Sequence, residues 1–281
     1  MNLHVIHTGM FKLDGGAMFG VVPKTIWSKT NPADDKNLCE IAMRCLLVEE
    51  GNRLVLIDCG IGDKQSEKFF SYYYLHGDHS LKASLGKAGF SPDDVTDVFL
   101  THLHFDHCGG GVVWKDRENK VPGMYFRNAT YWSNTGQWDW AVNPNPREKA
   151  SFLPENILPI AESGQLKMID PGSPGQITGF DILFKDGHTD KQMLPVIKYK
   201  GYTLVFMADL LPTAGHIPLP YVMSYDTRPL ITMEEKKKFL NDAAERNYIL
   251  FFEHDPLHEC CNVRFTEKGI RANEFFELKD L

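Results

Sequence analysis

Short apolar runs along this chain end repeatedly at an acid or a histidine. These runs occupy residues 54–57, 98–100, 182–184, 204–207 and 248–252, and the polar residues that follow them include Asp58, His102, His188, Asp209 and His254. Apolar runs of this length, bounded by Gly, Asp and Thr, are typical of buried strands. Because polar side chains recur at the strand ends, we expect them to gather at one edge of a sheet.

The rest of the pattern predicts an alternation of strands and helices. Further strands are expected near residues 3–7, 41–48, 166–170 and 195–199. Aromatic residues on one face predict a helix over residues 64–76, and a second helix is expected over residues 81–89. Residues 232–235 match a capping box, which predicts a helix that starts there and continues to about Asn247. Since no linker or repeat is visible, we expect a single α/β domain over residues 1–281.

The segment Thr101-His-Leu-His-Phe-Asp-His107 concentrates metal-binding side chains directly after a predicted strand. His102 and His104 are two residues apart, so in an extended segment both rings can face one ion. Asp106 and His107 follow at once and can face a second ion beside the first. Four ligand-type residues within six positions are a far more specific signal than a single His-x-His pair.

The composition favours a soluble enzyme with enough apolar material for a core. The chain has 281 residues, of which 43% are hydrophobic, and a formal net charge of −7. The acidic balance disfavours a general nucleic-acid binder, and no apolar stretch approaches the roughly 18 residues that cross a membrane. The N-terminus lacks the basic start and the apolar segment of a secretory signal. The six cysteines show no disulfide spacing, so we expect reduced thiols and a cytoplasmic location.

The histidine segment resembles the His-x-His-x-Asp-His signature of the metallo-β-lactamase-fold hydrolases. Gly187-His188-Thr189 is similar to the Gly-His-Thr of that family, and Ala208-Asp209 is similar to its Gly-Asp. Glu253-His254-Asp255 resembles the segment of the last histidine. Ile57-Asp58-Cys59-Gly60 resembles the Asp-x-Gly turn, which supports the histidine loop without binding metal. The matches follow the family order and cover most of the chain.

The resemblance implies a metallo-β-lactamase-like four-layer αββα sandwich with two divalent metal ions at one edge. The implied ligands are His102, His104, Asp106, His107, His188, Asp209 and His254. Asp209 would bridge the two ions, and Asp58 would brace the histidine loop. Zinc is the expected metal, and sites of this kind also accept Mn, Fe and Co.

The chemistry expected from this resemblance is hydrolysis of an ester-like bond by a hydroxide that bridges the two metals. Two adjacent cations lower the pKa of a bound water and stabilise negative charge on the carbonyl oxygen of the substrate. Asp106 would act as the catalytic acid and base, because it can orient the hydroxide and pass a proton to the leaving group. No Gly-x-Ser-x-Gly elbow is present, and this mechanism needs no serine nucleophile.

Within the family, the chain resembles the quorum-quenching N-acyl homoserine lactonases, which implies a small lactone or ester as the substrate. The stretch around Met18 and Phe19 is similar to a loop of some of these enzymes and could form an apolar wall for an acyl chain. These lactonases usually carry a tyrosine three residues after the bridging Asp, where this chain has Pro212. Tyr221 or Tyr225 could replace that tyrosine from the following loop.

Other functions share the same ligand pattern. A glyoxalase II thioesterase normally has an extra helical domain after the last ligand, whereas only 27 residues follow His254. A phosphotriesterase or aryl esterase, a redox member of the fold and a non-catalytic binding module are further alternatives. The tryptophan-rich residues 131–140 are expected to line a pocket mouth or subunit contact, or to cap the core. The oligomeric state stays open, with a homodimer as one expectation.

Overall fold

Residues 1–172 and 180–281 of the chain are described by the structure, which is a computed structural model. They divide into two units, of which the first comprises Met1–Gly9 and Met43–Thr178 and the second comprises Met10–Ala42 and Gly179–Leu281. Strands and helices alternate along the chain, which confirms the expected α/β class. Among the described helices, none is long and apolar enough to cross a membrane.

The strands expected from the apolar runs are all present, with small shifts at their ends. The strands are β1 (Asn2–Asp14), β2 (Leu38–Glu50), β3 (Arg53–Ile57), β4 (Asp97–Phe99), β5 (Val112–Asp116), β6 (Val121–Met124), β7 (Thr130–Ser133), β8 (Leu166–Met168), β9 (Phe180–Lys185), β10 (Gln192–Tyr199), β11 (Tyr202–Phe206), β12 (Ile249–Phe251), β13 (Cys260–Thr266) and β14 (Gly269–Phe276). The helices are α1 (Gly15–Phe19), α2 (Lys24–Trp27), α3 (Glu67–Ser71), α4 (Leu81–Lys87), α5 (Phe105–Cys108), α6 (Thr135–Val142), α7 (Pro154–Glu162) and α8 (Pro229–Arg246).

The first sheet has the order β1-β2-β3-β4-β7-β8. β3, β4, β7 and β8 run parallel to one another, so their carboxyl ends lie along one edge, whereas β2 is antiparallel to β3. Ile57 is in register with Phe99, which places Asp58 next to the chain that continues to His102. The core of this unit includes Leu47, Leu56, Val98, Phe126 and Tyr131. Each fully buried side chain of this size contributes about 1.5–3 kcal/mol to the free energy of unfolding.

The second sheet has the order β14-β13-β12-β11-β10-β9. Its one parallel pair, β11 and β12, has Phe206 in register with Phe251. Asp209 and His254 each follow these paired residues by three positions, so the register brings the two side chains together. Helix α8 packs on this sheet through its buried residues Phe239, Leu240 and Ala243.

The helix expected over residues 64–76 is much shorter than the aromatic pattern predicted. Only Glu67–Ser71 is helical, and it begins at Ser66, whose hydroxyl accepts a hydrogen bond from the Phe69 backbone N–H. Lys64 lies outside the helix because its buried amine donates hydrogen bonds to the carbonyls of Gly109 and Val112. A positive φ of 49° at Tyr74 also prevents the helix from continuing.

The capping box expected at residues 232–235 is wrong. Helix α8 begins one turn earlier, at Pro229, where the fixed φ of proline suits the first helical position. Thr232 is therefore inside the helix and buried. The Glu235 carboxylate instead accepts hydrogen bonds from the backbone N–H groups of Asp186 and Gly187. The helix ends as predicted at Asn247, which has the left-handed φ of a helix C-cap.

A partly buried ion pair between Arg53 and Asp97 connects β3 to β4. The Asp97 carboxylate accepts hydrogen bonds from Arg53, Thr96 and the indole N–H of Trp132. Burial alone would raise the pKa of Asp97, but these hydrogen bonds outweigh burial and hold the pKa below its usual value. A carboxyl group with a lowered pKa stabilises the fold above its unfolded pKa of about 3.9, and the contribution is lost as the pH falls.

We expect Asp97→Asn to lower the free energy of unfolding by about 2–3 kcal/mol at pH 7, because it leaves a partly buried arginine without its charge partner. Urea denaturation at several pH values measures the effect. The difference in free energy of unfolding between the unchanged protein and the variant should become smaller as the pH falls below about 4. A difference that stays constant between pH 7 and pH 3 would contradict this role of the charge.

Candidate metal centre

The histidine loop of the first unit is held by unusually close backbone packing. It leaves β4, continues through the short helix α5 and ends in a 3-10 turn at Gly109–Gly111. A Cβ atom on Gly110 would lie 2.0 Å from the Cys59 carbonyl oxygen, so only glycine allows this approach. The Cys59 N–H also donates to the His107 carbonyl at 2.8 Å. The loop is therefore fixed against the turn that contains Asp58.

Within this loop, four side chains form two neighbouring pairs of donor atoms. His102 Nε2 lies 3.0 Å from His104 Nδ1, and His107 Nε2 lies 3.8 Å from an Asp106 carboxylate oxygen. All four residues are buried, with at most 9% of their surface exposed. The rings of His102 and His107 are only 3.9 Å apart between centroids. Two pairs so close together offer donors for two adjacent cations.

Hydrogen bonds on the far side of the rings define which nitrogen can bind a metal. His107 Nδ1 lies 3.1 Å from Asp58, and a carboxylate only accepts, so this nitrogen carries the proton. Asp58 also accepts from the Thr101 N–H and hydroxyl, at 2.8 and 2.6 Å. Because that hydroxyl donates to Asp58, it accepts from His102 Nδ1 at 3.1 Å. The Nε2 atoms of both histidines are left with a lone pair.

Glu148 contacts the candidate ligand His104, which the sequence did not reveal. Its carboxylate lies 2.9 Å from His104 Nε2 and also accepts from the Trp140 indole N–H at 2.6 Å and from Asn145 at 3.1 Å. The proton of His104 is therefore on Nε2, which leaves Nδ1 as the donor atom beside His102. No local spacing relates Glu148 to the histidine motif. Trp140, in the tryptophan-rich segment, thus orients a partner of His104 and packs against the core.

The second unit places His188, Asp209 and His254 around one carboxylate. One Asp209 oxygen lies 3.0 Å from His188 Nε2, and the other lies 3.1 Å from His254 Nε2. The outer nitrogens are held by Asp226, at 2.8 Å from His188, and by the Ala42 carbonyl, at 2.8 Å from His254. A carboxylate whose two oxygens face different imidazoles is suited to bridge two cations.

The carboxylates around His188 make this part of the second unit favourable for a positive charge. Burial lowers the pKa of His188, but the carboxylates of Asp209 and Asp226 outweigh burial and raise the pKa to about 10. The residue before Asp209 is Ala208, with a left-handed φ of 40° that costs an L-residue roughly 1–2 kcal/mol. Strain of this kind is kept where the surrounding structure requires one orientation of a side chain.

Met18 and Phe19, expected as an acyl wall, are buried at 2% and 0% exposure. Phe19 stacks between Trp27 and His216, with ring centroids 5.2 and 4.4 Å away. His216 Nε2 bonds the Met18 carbonyl, and burial lowers the pKa of His216 to about 3, so the ring is neutral. In this structure the two residues pack the N-terminal loop, and their contact with an acyl chain stays a prediction.

The two tyrosines proposed to replace the residue at Pro212 occupy different environments. Tyr221 contacts the edge of the Phe19 ring and lines a cavity of the second unit. Tyr225 is 38% exposed, and Pro212 is buried and offers no hydroxyl. The role of either tyrosine at a substrate stays a prediction.

An aromatic cluster lies close to Asp106 in the first unit. The rings of Phe69 and Tyr73 lie 5.4 and 4.9 Å from the ring of Phe105, which directly precedes Asp106. Burial raises the pKa of Tyr73 to about 12, and the charge of Asp106 adds to this shift. The phenol therefore stays protonated at neutral pH. The sequence placed Phe69 and Tyr73 on a helix face and gave no sign of this contact.

The chain is similar in sequence to a known family and to named relatives. A family model described as the metallo-beta-lactamase superfamily matches residues 44–254. An N-acyl homoserine lactonase from Bacillus thuringiensis is 24% identical over 80% of this chain and 86% of its own length. A lactonase of the same description from Bacillus cereus is 23% identical over 78% of this chain and 83% of its own length.

Solved structures extend the similarity to the whole chain. A probable metal-dependent hydrolase from Staphylococcus aureus has a TM-score of 0.88 and 27% identity, covering 100% of this chain and 98% of the other. AidC, described as a dizinc quorum-quenching lactonase, has a TM-score of 0.77 and 25% identity, covering 98% and 95%. The extent of the family match and these whole-chain similarities show that the protein belongs to the metallo-β-lactamase superfamily and is a metal-dependent hydrolase with N-acyl homoserine lactonases among its relatives.

Proposed function

We propose that this protein is a dinuclear metal hydrolase that opens lactones of the acyl-homoserine type in the cytoplasm. The observation that carries the proposal is the position of Asp209, whose two carboxylate oxygens each face the Nε2 atom of a different histidine at 3.0 and 3.1 Å. An anion so placed, between His188 and His254, is suited to hold two cations at once. The lactonases among the relatives support the substrate class.

The donor chemistry fits two divalent ions. The family signature would assign the imidazoles of His102, His104 and His188 to one ion. It would assign the carboxylate of Asp106 and the imidazoles of His107 and His254 to the other. Asp209 would serve both. Nitrogen donors with few carboxylates favour zinc, while Mn, Fe or Co remain compatible with the set. When bound, the ions would supply Lewis-acid activation of water and of the substrate carbonyl.

Residues of the chain itself would orient the histidine rings and transfer a proton to the leaving group. Asp58, Glu148 and Asp226 hold the outer nitrogens of three histidines, so each ring presents its lone pair in one direction. Asp106 is 9% exposed, so it can still exchange a proton with a substrate while remaining in a largely dry site. It would deliver that proton to the alkoxide oxygen that leaves when the lactone ring opens.

The aromatic cluster of Phe69, Tyr73 and Phe105 supports an acyl substrate. These rings pack together around Phe105, the residue before Asp106, and would offer an apolar surface on which the acyl part of a lactone is desolvated. Burial keeps the Tyr73 hydroxyl protonated, so it would be a further donor close to this carboxylate. An apolar wall beside a proton donor suits an acyl lactone better than a phosphorylated substrate.

We expect Asp209→Ala and His104→Ala to lower metal-dependent hydrolysis by more than about 1,000-fold, or about 4 kcal/mol in activation free energy, because each removes a ligand. The assay compares a long-chain acyl-homoserine lactone, a simple γ-lactone, an aryl ester, a phosphotriester and a glutathione thioester, with metal content measured per chain. His76→Ala and Asp181→Ala change exposed residues and serve as controls. Full activity in either ligand variant, after its metal has been removed and reloaded, would contradict the dinuclear mechanism. A preference for the thioester or the phosphotriester would contradict the proposed lactone substrate.

A second prediction concerns Glu148. We expect Glu148→Ala to weaken the binding of one metal ion by about 10–100-fold, because His104 loses the acceptor that fixes its protonated nitrogen. Titration with a competing chelator measures the two metal affinities, and circular dichroism checks the fold. Glu162→Ala, an exposed glutamate of the same unit, is the matched control. Equal metal affinities in Glu148→Ala and in the unchanged protein would show that Glu148 only packs the loop.

A further inference from the structure

The second unit contains a cavity of about 860 Å³ that none of the proposed metal ligands lines. This volume lies near the upper end of the roughly 300–1,000 Å³ typical of small-molecule sites. Its walls are largely apolar and include Ile26, Ile217, Pro218, Leu257 and Phe275. Leu257 is 72% exposed, and Ile26 and Phe275 are each almost half exposed. Large apolar side chains left in water beside a cavity gain free energy when an apolar ligand covers them.

The acidic residues in the lining are already engaged. Asp255 accepts hydrogen bonds from the backbone N–H groups of Ala214, Leu257 and His258, at 2.9, 2.9 and 2.8 Å. Glu40 forms an ion pair with Lys12 at 3.0 Å. Both carboxylates keep their charge, but backbone N–H groups already hold the oxygens of Asp255, and Glu40 already faces an ammonium.

The basic residues in the lining are not engaged in the same way. Within residues 1–172 and 180–281, Lys29 and Arg271 form no ion pair. Arg271 donates from one Nη atom to the carbonyl of Ile270 at 2.6 Å, which anchors one arm of the guanidinium and leaves the other donors for a partner. Lys29 and Arg271 are thus the lining cations for which the described residues provide no anionic partner.

We propose that this cavity binds an amphipathic carboxylic acid, with its alkyl chain against Ile26, Leu257 and Phe275 and its carboxylate at Arg271 and Lys29. An apolar wall combined with two basic side chains that form no ion pair within the described residues favours this class over neutral or cationic amphiphiles. Ring-opened acyl lactones belong to the same class, and only this connection rests on the proposed function. None of the proposed metal ligands lines the cavity, so carboxylate binding there can be measured without the reaction.

Isothermal titration of the metal-loaded protein with hexanoate, octanoate and decanoate tests the proposal. Affinity should rise about two- to fourfold for each added methylene, because the chain is transferred from water to apolar walls. Decylammonium, which has the same chain and the opposite charge, should bind at least about fivefold more weakly than decanoate. Equal affinity for decanoate and decylammonium would overturn the charge assignment, and no binding of either would overturn the site.

Two variants of the cavity lining test whether decanoate binds in this cavity or at the metal ions. Arg271→Gln and Leu257→Asp should each weaken decanoate binding at least about fivefold while leaving metal content unchanged. The matched controls are Lys237→Gln and Leu230→Asp, which alter exposed residues of the same unit outside the cavity lining. Decanoate binding that survives both cavity variants would place the ligand elsewhere and refute the proposal.

Sedimentation of the same proteins tests whether this apolar face is a ligand site or an interface between two copies of the chain. The proposal requires that Leu257→Asp leaves the oligomeric state unchanged. If the unchanged protein is a dimer that Leu257→Asp dissociates, and decanoate does not bind, then a second copy of the chain covers this face. That result would overturn the proposal, whether or not the protein hydrolyses lactones.

Discussion

Every histidine among the candidate ligands is buried, and a buried imidazole is stable only if both of its nitrogens have partners. Five different groups meet this requirement on the outer side of the rings. They are the Thr101 hydroxyl, the carboxylates of Asp58, Glu148 and Asp226, and the Ala42 carbonyl. Because each outer nitrogen is fixed, each lone pair has one direction. The remainder of the fold serves to keep these partners in place.

Parallel strand pairs provide that stability. Ile57 with Phe99, and Phe206 with Phe251, are neighbours in register, and the polar loops leave the sheets directly after them. Since the strands beneath are covered by hydrophobic core, the loops start from rigid points. The strain at Ala208 and the close approach at Gly110 are tolerated for the same reason. Rigid strand ends thus turn a few loop residues into a preorganised set of donors.

The departures from the sequence-based expectations share one cause. The 64–76 segment and the 232–235 segment both have good local helix signals, yet tertiary partners take their polar side chains. Lys64 binds carbonyls of the histidine loop, and Glu235 binds the backbone N–H groups before His188. A buried polar group that completes a distant loop contributes more than a helix cap, which is typically worth about 1 kcal/mol. Local propensity was therefore overruled at the positions that support the site.

The sequence by itself determined nine of the fourteen described strands, the α/β class, the family and the candidate ligands, because these depend on periodicity and on residues close together in the chain. It did not predict β5, β6, β7, β13 or β14. Only the tertiary structure decided which partner fixes each ring, as with Glu148 and Asp226, since these lie 44 and 38 residues from the histidines they contact. It also decided that Phe19 is packed between two rings and that a largely apolar cavity containing Lys29 and Arg271 lies in the second unit. Such contacts follow from the way distant segments pack, and no local spacing encodes them.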